Sequence, residues 1–276
     1  MTTKHFLNLR DLSNQDILNI LDRAIERKSQ KQKEKTLIGS KLGLIFEKPS
    51  TRTRISFESG ILNLGGNAIF MSSSDLQLSR GEPVSDTAKV ASSMLDVIAL
   101  RVDKHETLEM FAANSSVPII NALSDLSHPC QILADLMTFK ENSVSELEKV
   151  CWIGDGNNVC NSYIEASKIL DFELSIYCPK EYSPDPSFLN YAKENSSFAN
   201  SREEAAKGAD IITTDVWVSM GDEKTKERAF EGYFVDTTSG AITVTAPASP
   251  SAGDIFGIKD YAGTFATNNV TDGRNG

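Results

Sequence analysis

The sequence predicts an α/β protein of two domains, each a parallel sheet flanked by helices, with the second domain incomplete. Three observations carry this. The chain has 276 residues, enough for about two domains at roughly 150 residues each. Short apolar runs of strand length alternate with segments of helical period, the pattern of parallel βαβ units. The alternation pauses over the polar run 141–147 and starts afresh at Val150, which sets domains at 1–140 and 148–236 and leaves 237–276 as an irregular tail.

In the first domain, Leu12, Ile17, Leu18, Leu21 and Ile25 recur at helical spacing behind Ser13 and Asn14, both good N-cap types, and predict a helix over 11–25. The basic run 27–35 after it reads as a solvated helix end and receives no role. Residues 42–46 form a strand, and the polar stretch 47–54 then opens a helix carrying Ile55, Phe57, Ile61, Leu62 and Leu64. A strand over 68–71 follows, then a helix over 84–95 with Ala88, Ala91, Met94 and Leu95 on one face, then a strand over 97–100 that ends at Arg101. A strand over 118–121 leads through Asp125 and His128 into a helix over 131–139. In the second domain, strands are expected over 150–153, 174–177 and 210–214. Helices are expected over 161–170, ending at 205–209, and over 223–230. Beyond Thr237 neither the two-residue nor the 3.6-residue period persists, and Thr, Ser, Ala, Gly and Asn dominate.

Composition excludes several function classes. Lys and Arg total 28 against 38 Asp and Glu, a formal charge of −10, which argues against nucleic acid or an anionic membrane as the main partner. Any anionic ligand must be held locally. No apolar run reaches the roughly 18 residues of a membrane span or forms a secretory leader, so a cytoplasmic protein is expected. Cys130, Cys151, Cys160 and Cys178 lie in no metal-ligand spacing and read as reduced thiols.

The candidate chemistry collects where strands end. Ser50-Thr-Arg-Thr53 sits at a strand-to-helix junction, where free backbone N–H groups, the positive end of the helix dipole, hydroxyls and the Arg52 guanidinium converge as an anion site. Lys48 and Arg54 add positive charge nearby. Arg101 ends another strand, and His128-Pro-Cys-Gln131 ends a third, in the crevice where open parallel sheets bind ligands. His128 offers a donor to a carbonyl oxygen and Gln131 a carbonyl for an amide N–H, whereas His5 and His105 read as structural. Gly154-Asp-Gly-Asn-Asn158 lacks the third glycine and the acidic ribose partner of a dinucleotide site, so Asp155 and Asn158 are polar groups for a ligand or for the turn. Asp215-Val-Trp-Val-Ser-Met-Gly221 brings a carboxylate suited to a cationic amine. No G-x-S-x-G elbow, Walker A loop or H-E-x-x-H occurs in the sequence.

These four segments, beginning with Phe46-Glu-Lys-Pro-Ser-Thr-Arg-Thr-Arg54, resemble the ornithine carbamoyltransferases over residues 1–236. S-T-R-T-R and H-P-x-Q are shared with the aspartate carbamoyltransferases, while G-D-G-N-N and S-M-G favour the ornithine branch. The resemblance implies a carbamoyltransferase-like fold whose first domain binds carbamoyl phosphate through Ser50, Thr51, Arg52, Thr53, Gln77, Arg101, His128 and Gln131. It implies that the second binds L-ornithine through Asn158, Asp215, Ser219 and Met220, with Arg52, Arg101 and His128 as the catalytic set. The implied reaction yields L-citrulline and phosphate in arginine metabolism, without a metal or organic cofactor, in a homotrimer or a multiple of trimers. The family's H-C-L-P segment, a later arginine and the closing helix have no counterpart in 237–276, the mark of a frameshifted or substituted end. Two further readings therefore stand beside the enzyme: a catalytically deficient relative that binds carbamoyl phosphate or serves as an assembly subunit, and an aspartate carbamoyltransferase.

Overall fold

The computed structural model describes residues 3–30, 34–76, 81–215, 242–244 and 270–272. The first lobe begins with helix α1 (Asn14–Ser29), whose N-cap Ser13 accepts the Asp16 N–H while Asp16 reaches back to the Ser13 N–H. Strands β1 (Lys41–Phe46), β2 (Asn67–Ser72), β3 (Val97–Arg101) and β4 (Ile119–Leu123) form one sheet in the order β2-β1-β3-β4, each pair parallel. Helices α2 (Thr51–Asn63), α3 (Val84–Met94) and α4 (His105–Asn114) connect them, and α5 (Pro129–Asn142) leaves the sheet. β1 is buried from Leu42 to Phe46, as a central parallel strand covered on both faces must be.

The second lobe repeats the plan. Strands β5 (Lys149–Ile153), β6 (Glu173–Tyr177), β7 (Ser196–Phe198) and β8 (Ile211–Thr213) pair in parallel in the order β7-β6-β5-β8. The intervening helices are α6 (Asn158–Leu170), α7 (Pro186–Tyr191) and α8 (Arg202–Ala206). In each sheet the chain first builds outward on one side of its opening strand and then returns to the other side. The order reverses between β1 and β3 and again between β5 and β8, and a crevice opens beyond the carboxyl ends of strands at such a reversal.

Five elements of the structure are not predicted by the sequence. α4 was not anticipated, although Leu108, Phe111 and Ala112 recur at helical spacing and are buried. α7 and the three-residue β7 were also missed: β7 carries no period of its own and is ordered by pairing with β6. The tail expected to be irregular contains two short strands, β9 (Ile242–Val244) and β10 (Val270–Asp272), paired in parallel. The helix expected over 223–230 lies outside the described residues.

One apolar core runs through both lobes. Trp152 and Tyr163 of the second lobe pack in the same cluster as Ile17 and Leu21 of α1 and Ile132, Leu136 and Phe139 of α5. Beside it lies a polar seam carried by α6. Asn158, Asn161, Ser162 and Glu165 fall on one helical face. They meet Ser124 O at 2.7 Å, Leu126 O at 3.1 Å, the His128 N–H at 2.8 Å and the Leu9 N–H at 3.0 Å. Glu165 is fully buried and also pairs with Arg10 at 2.6 Å, whose guanidinium lies over the Phe188 ring at 4.9 Å.

Burial pushes the Glu165 carboxyl up from 4.5 to about 7, more than Arg10 and the Leu9 N–H pull it down. An acid whose pKa is higher in the folded than in the unfolded chain stabilises the fold below the unfolded value and loses that contribution as pH rises through the folded one. The window here runs from 4.5 to about 7. Between pH 5 and pH 8 the parent is therefore expected to lose on the order of 2 kcal/mol of unfolding free energy relative to Glu165→Gln. Urea unfolding of both proteins at both pH values measures this, and parallel pH dependences would remove Glu165 from the account.

Candidate active site

The loop after β1 carries the first group of predicted residues. Ser50 caps α2 in an extended conformation without a side-chain hydrogen bond to the helix, so no side chain of its own takes up the first-turn N–H groups. Thr51 and Arg52 are exposed and Thr53 is partly buried. Thr53 Oγ1 accepts a long hydrogen bond of 3.4 Å from Arg101 Nη1, which joins α2 to the end of β3 across the first reversal point. The Glu47 N–H donates to Arg101 O at 2.8 Å and fixes the two strand ends together.

Arg101 is the electrostatic centre of this group. Burial and the neighbouring Arg52 charge both lower its pKa, and its Nε is buried with no partner among the described residues. Two guanidinium groups held near each other are stabilised by an anion between them. His128, the N-cap of α5, stands in the same field. Burial first, and then Arg101, push its imidazole down to about 4, so the ring is neutral at pH 7. Its Nδ1 is likewise buried without a partner among the described residues. A neutral imidazole beside two guanidinium groups can donate to a developing oxyanion without adding a third full charge.

Lys48 and Arg54 are not part of the cluster. Lys48 pairs with Asp103 at 3.1 Å, and Arg54 pairs with Glu58 at 2.9 Å while stacking over the Phe70 ring at 3.6 Å. Adjacent β2 supplies that ring, which nothing in the local motif announces. The structural reading of the other histidines agrees with their contacts. His105 lies between Ser124 Oγ at 2.7 Å and Asn8 Nδ2 at 3.3 Å, and His5 Nδ1 accepts the Ile119 N–H at 3.2 Å.

Gln131, one turn into α5, donates from Nε2 to Asp135 Oδ1 at 2.9 Å. The other Asp135 oxygen accepts the Tyr163 hydroxyl at 2.9 Å. Burial raises the Asp135 pKa, with Asp215 adding to the push and the two donors opposing it.

Beyond β5, Trp152 Nε1 donates to Asp155 O at 3.1 Å and pins the glycine-rich turn. A Cβ on Gly156 would lie 2.3 Å from Pro184 N, so only glycine fits there. Asn157 caps α6, its side-chain oxygen accepting the Val159 and Cys160 N–H groups at 3.0 and 3.2 Å. Its Nδ2 donates to Asp215 Oδ2 at 3.1 Å, bringing the ends of β5 and β8 together at the second reversal point. Asn158 reaches the first lobe at Ser124 O. Gln77, Ser219 and Met220 lie outside the described residues.

The structure thus brings Thr53, Arg101, Arg52 and His128 into one cluster, with Ser50 and Thr51 at its helix terminus and Gln131 on the next helix. Sequence reasoning missed Asn157, Asp135, Ser162 and Tyr163. The spacing of four between Gln131 and Asp135 was a usable signal for one of them; nothing local distinguishes Asn157 from Asn158.

Comparisons with known proteins agree with this layout. The carbamoyl-P binding domain of the aspartate/ornithine carbamoyltransferases matches residues 4–141, and the Asp/Orn binding domain of the same family matches residues 147–241. The ornithine carbamoyltransferase of Acinetobacter baumannii (strain AYE) is 51% identical over 243 residues, covering 86% of this chain and 79% of that protein. That of Acinetobacter baylyi is 47% identical over 282 residues, covering 100% of this chain and 90% of its own length. Among solved structures, the anabolic ornithine carbamoyltransferase of Campylobacter jejuni superposes with a TM-score of 0.79 at 44% identity, covering 91% of this chain and 88% of that one. The Pyrococcus furiosus ornithine carbamoyltransferase gives 0.76 at 40% identity, covering 82% and 76%. With both halves of the family matched in register with the two lobes and their strand-end loops, the chain belongs to the aspartate/ornithine carbamoyltransferase family.

Proposed function

We propose that the chain transfers the carbamoyl group of carbamoyl phosphate to the δ-amine of L-ornithine, giving L-citrulline and phosphate. The observation that carries this is the pair of buried nitrogens, Arg101 Nε and His128 Nδ1, that have no partner among the described residues and lie beside Thr53 and Arg52 at the start of α2, where the N-cap Ser50 makes no side-chain hydrogen bond. In this reading the phosphate sits on the α2 terminus with Ser50, Thr51, Arg52 and Thr53, and Gln77 completes the donor set. Arg101 and His128 address the carbonyl oxygen, and Gln131 accepts from the carbamoyl amide. Asp215, oriented by Asn157, holds the ammonium of ornithine, with Asn158, Ser219 and Met220 completing the amino-acid site.

The chemistry needs positioning and preorganised charge. The neutral δ-amine forms a C–N bond at the carbamoyl carbon, and the carbonyl π electrons move onto oxygen, where Arg52, Arg101 and His128 stabilise them. Collapse of that adduct breaks the C–O bond to phosphate, and the proton lost from nitrogen leaves with the departing phosphate. A homotrimer or a multiple of it, a cytoplasmic location and a place in arginine synthesis belong to the same reading, by likeness to the family. No helix among the described residues is long and apolar enough to cross a membrane.

Citrulline formation by the purified chain is the direct test, with aspartate offered in parallel. Ornithine is expected to be the preferred acceptor because a second carboxylate would be repelled by Asp215; faster carbamoylation of aspartate would overturn the branch assignment. Arg52→Ala is expected to weaken carbamoyl phosphate binding about tenfold to a hundredfold by calorimetry, since a hydrogen bond to a charged group contributes roughly 1.5–3 kcal/mol. An unchanged affinity would make Arg52 a solvated surface residue. NMR titration of His128 should give a midpoint near 4, rising in Arg101→Met, where the adjacent charge is gone. A midpoint at the ordinary 6.5 would contradict a ring held neutral by its surroundings.

A further inference from the structure

We propose that Asp135 is a positioning residue that sets the orientation of the Gln131 amide and thereby lets the site tell a carbamoyl phosphate from other acyl phosphates. The proposal rests on the reading of Gln131 given above. An amide side chain presents an acceptor at one end and a donor at the other, and the two ends have nearly the same shape. Gln131 is exposed, so its own packing does not choose between them. Asp135 chooses. Its Oδ1 lies 2.9 Å from Gln131 Nε2, and an ionised carboxylate can only accept, so the NH2 end of the amide turns toward it and Oε1 turns away as an acceptor with no partner among the described residues.

Asp135 is itself held from the other lobe. Its Oδ2 accepts the Tyr163 hydroxyl at 2.9 Å, and the Tyr163 ring is buried on α6, tilted against Trp152 at 5.9 Å between centroids. A rigid phenol therefore fixes one carboxylate oxygen and leaves the second for Gln131. The consequence is chemical selectivity. Carbamoyl phosphate carries an NH2 where acetyl phosphate carries a methyl group, and inorganic phosphate carries neither. An outward-facing Oε1 rewards only the first, whereas a rotated amide would set its NH2 against the NH2 of the ligand.

The test measures dissociation constants of the full-length protein for carbamoyl phosphate, acetyl phosphate and inorganic phosphate, in the parent and in Asp135→Asn, Asp135→Ala and Gln131→Ala. Both Asp135 variants are expected to bind carbamoyl phosphate about three- to tenfold more weakly. Acetyl phosphate and phosphate should bind within twofold of the parent, which also shows that the phosphate cradle is folded. Adding either Asp135 substitution to Gln131→Ala should then have no further effect on carbamoyl phosphate. Equal weakening for all three ligands would make Asp135 a structural residue and overturn the proposal. Loss of discrimination in Gln131→Ala but not in the Asp135 variants would overturn the proposal while leaving the function standing. Unchanged discrimination in Gln131→Ala would overturn the reading of Gln131 itself, and the positioning role with it.

Discussion

The polar face of α6 governs how the two lobes meet. Asn158, Asn161, Ser162 and Glu165 are buried or nearly so, and each is satisfied by a group outside its own helix: the 124–128 loop, the Leu9 N–H or Arg10. A buried polar atom that loses its partner costs on the order of 1–3 kcal/mol, so the seam tolerates few relative positions of the lobes. Apolar packing of Trp152, Tyr163, Ile132 and Leu136 beside it supplies adhesion without direction. Direction comes from the hydrogen bonds, and the loop they clamp is the one that delivers His128.

That clamp explains how an acidic protein maintains a cationic site. With a formal charge of −10, the long-range field opposes an anion. At the first reversal point, however, Lys48 and Arg54 are neutralised by Asp103 and Glu58, whereas Arg101 is partly buried, with its Nε fully so, near Arg52. Local attraction is therefore concentrated on a few donors, of which the buried Arg101 Nε and His128 Nδ1 are worth more than donors at the surface. Keeping His128 neutral limits the repulsion that the site must carry before a ligand arrives.

Much of this was legible in the sequence. The strands β1, β3, β5 and β6 are compact apolar runs, and S-T-R-T-R at a strand end states its anion chemistry in residue types alone. What was not legible depends on pairing across distance. No local pattern says that β3 returns to the inner side of β1, although that reversal makes Arg101 a neighbour of Thr53. Arg54 reads from the sequence as positive charge beside the anion site, because the ring that captures it belongs to β2. Asn157 and Asn158 are identical side chains in sequence, and only the start of α6 makes one the cap that holds Asp215 and the other a tie to Ser124. β7 exists because β6 offers it an edge, not because Ser196, Ser197 and Phe198 prefer extended backbone.

The dependence of His128 on Ser162 also has a consequence for the order in which the chain is made. Synthesis runs from the N-terminus, and all four strands of the first sheet, β1 to β4, emerge before α6 does. A ribosome-bound chain that stops short of Asn158 holds the hydroxyls at the start of α2 and both guanidinium groups but lacks the Ser162 hydroxyl that receives the His128 N–H. The cradle is thus vectorially unfinished until the second lobe begins to appear. In the function proposed above, the groups assigned to the carbonyl would be complete only once this helix, which supplies none of the residues assigned to the phosphate, has emerged.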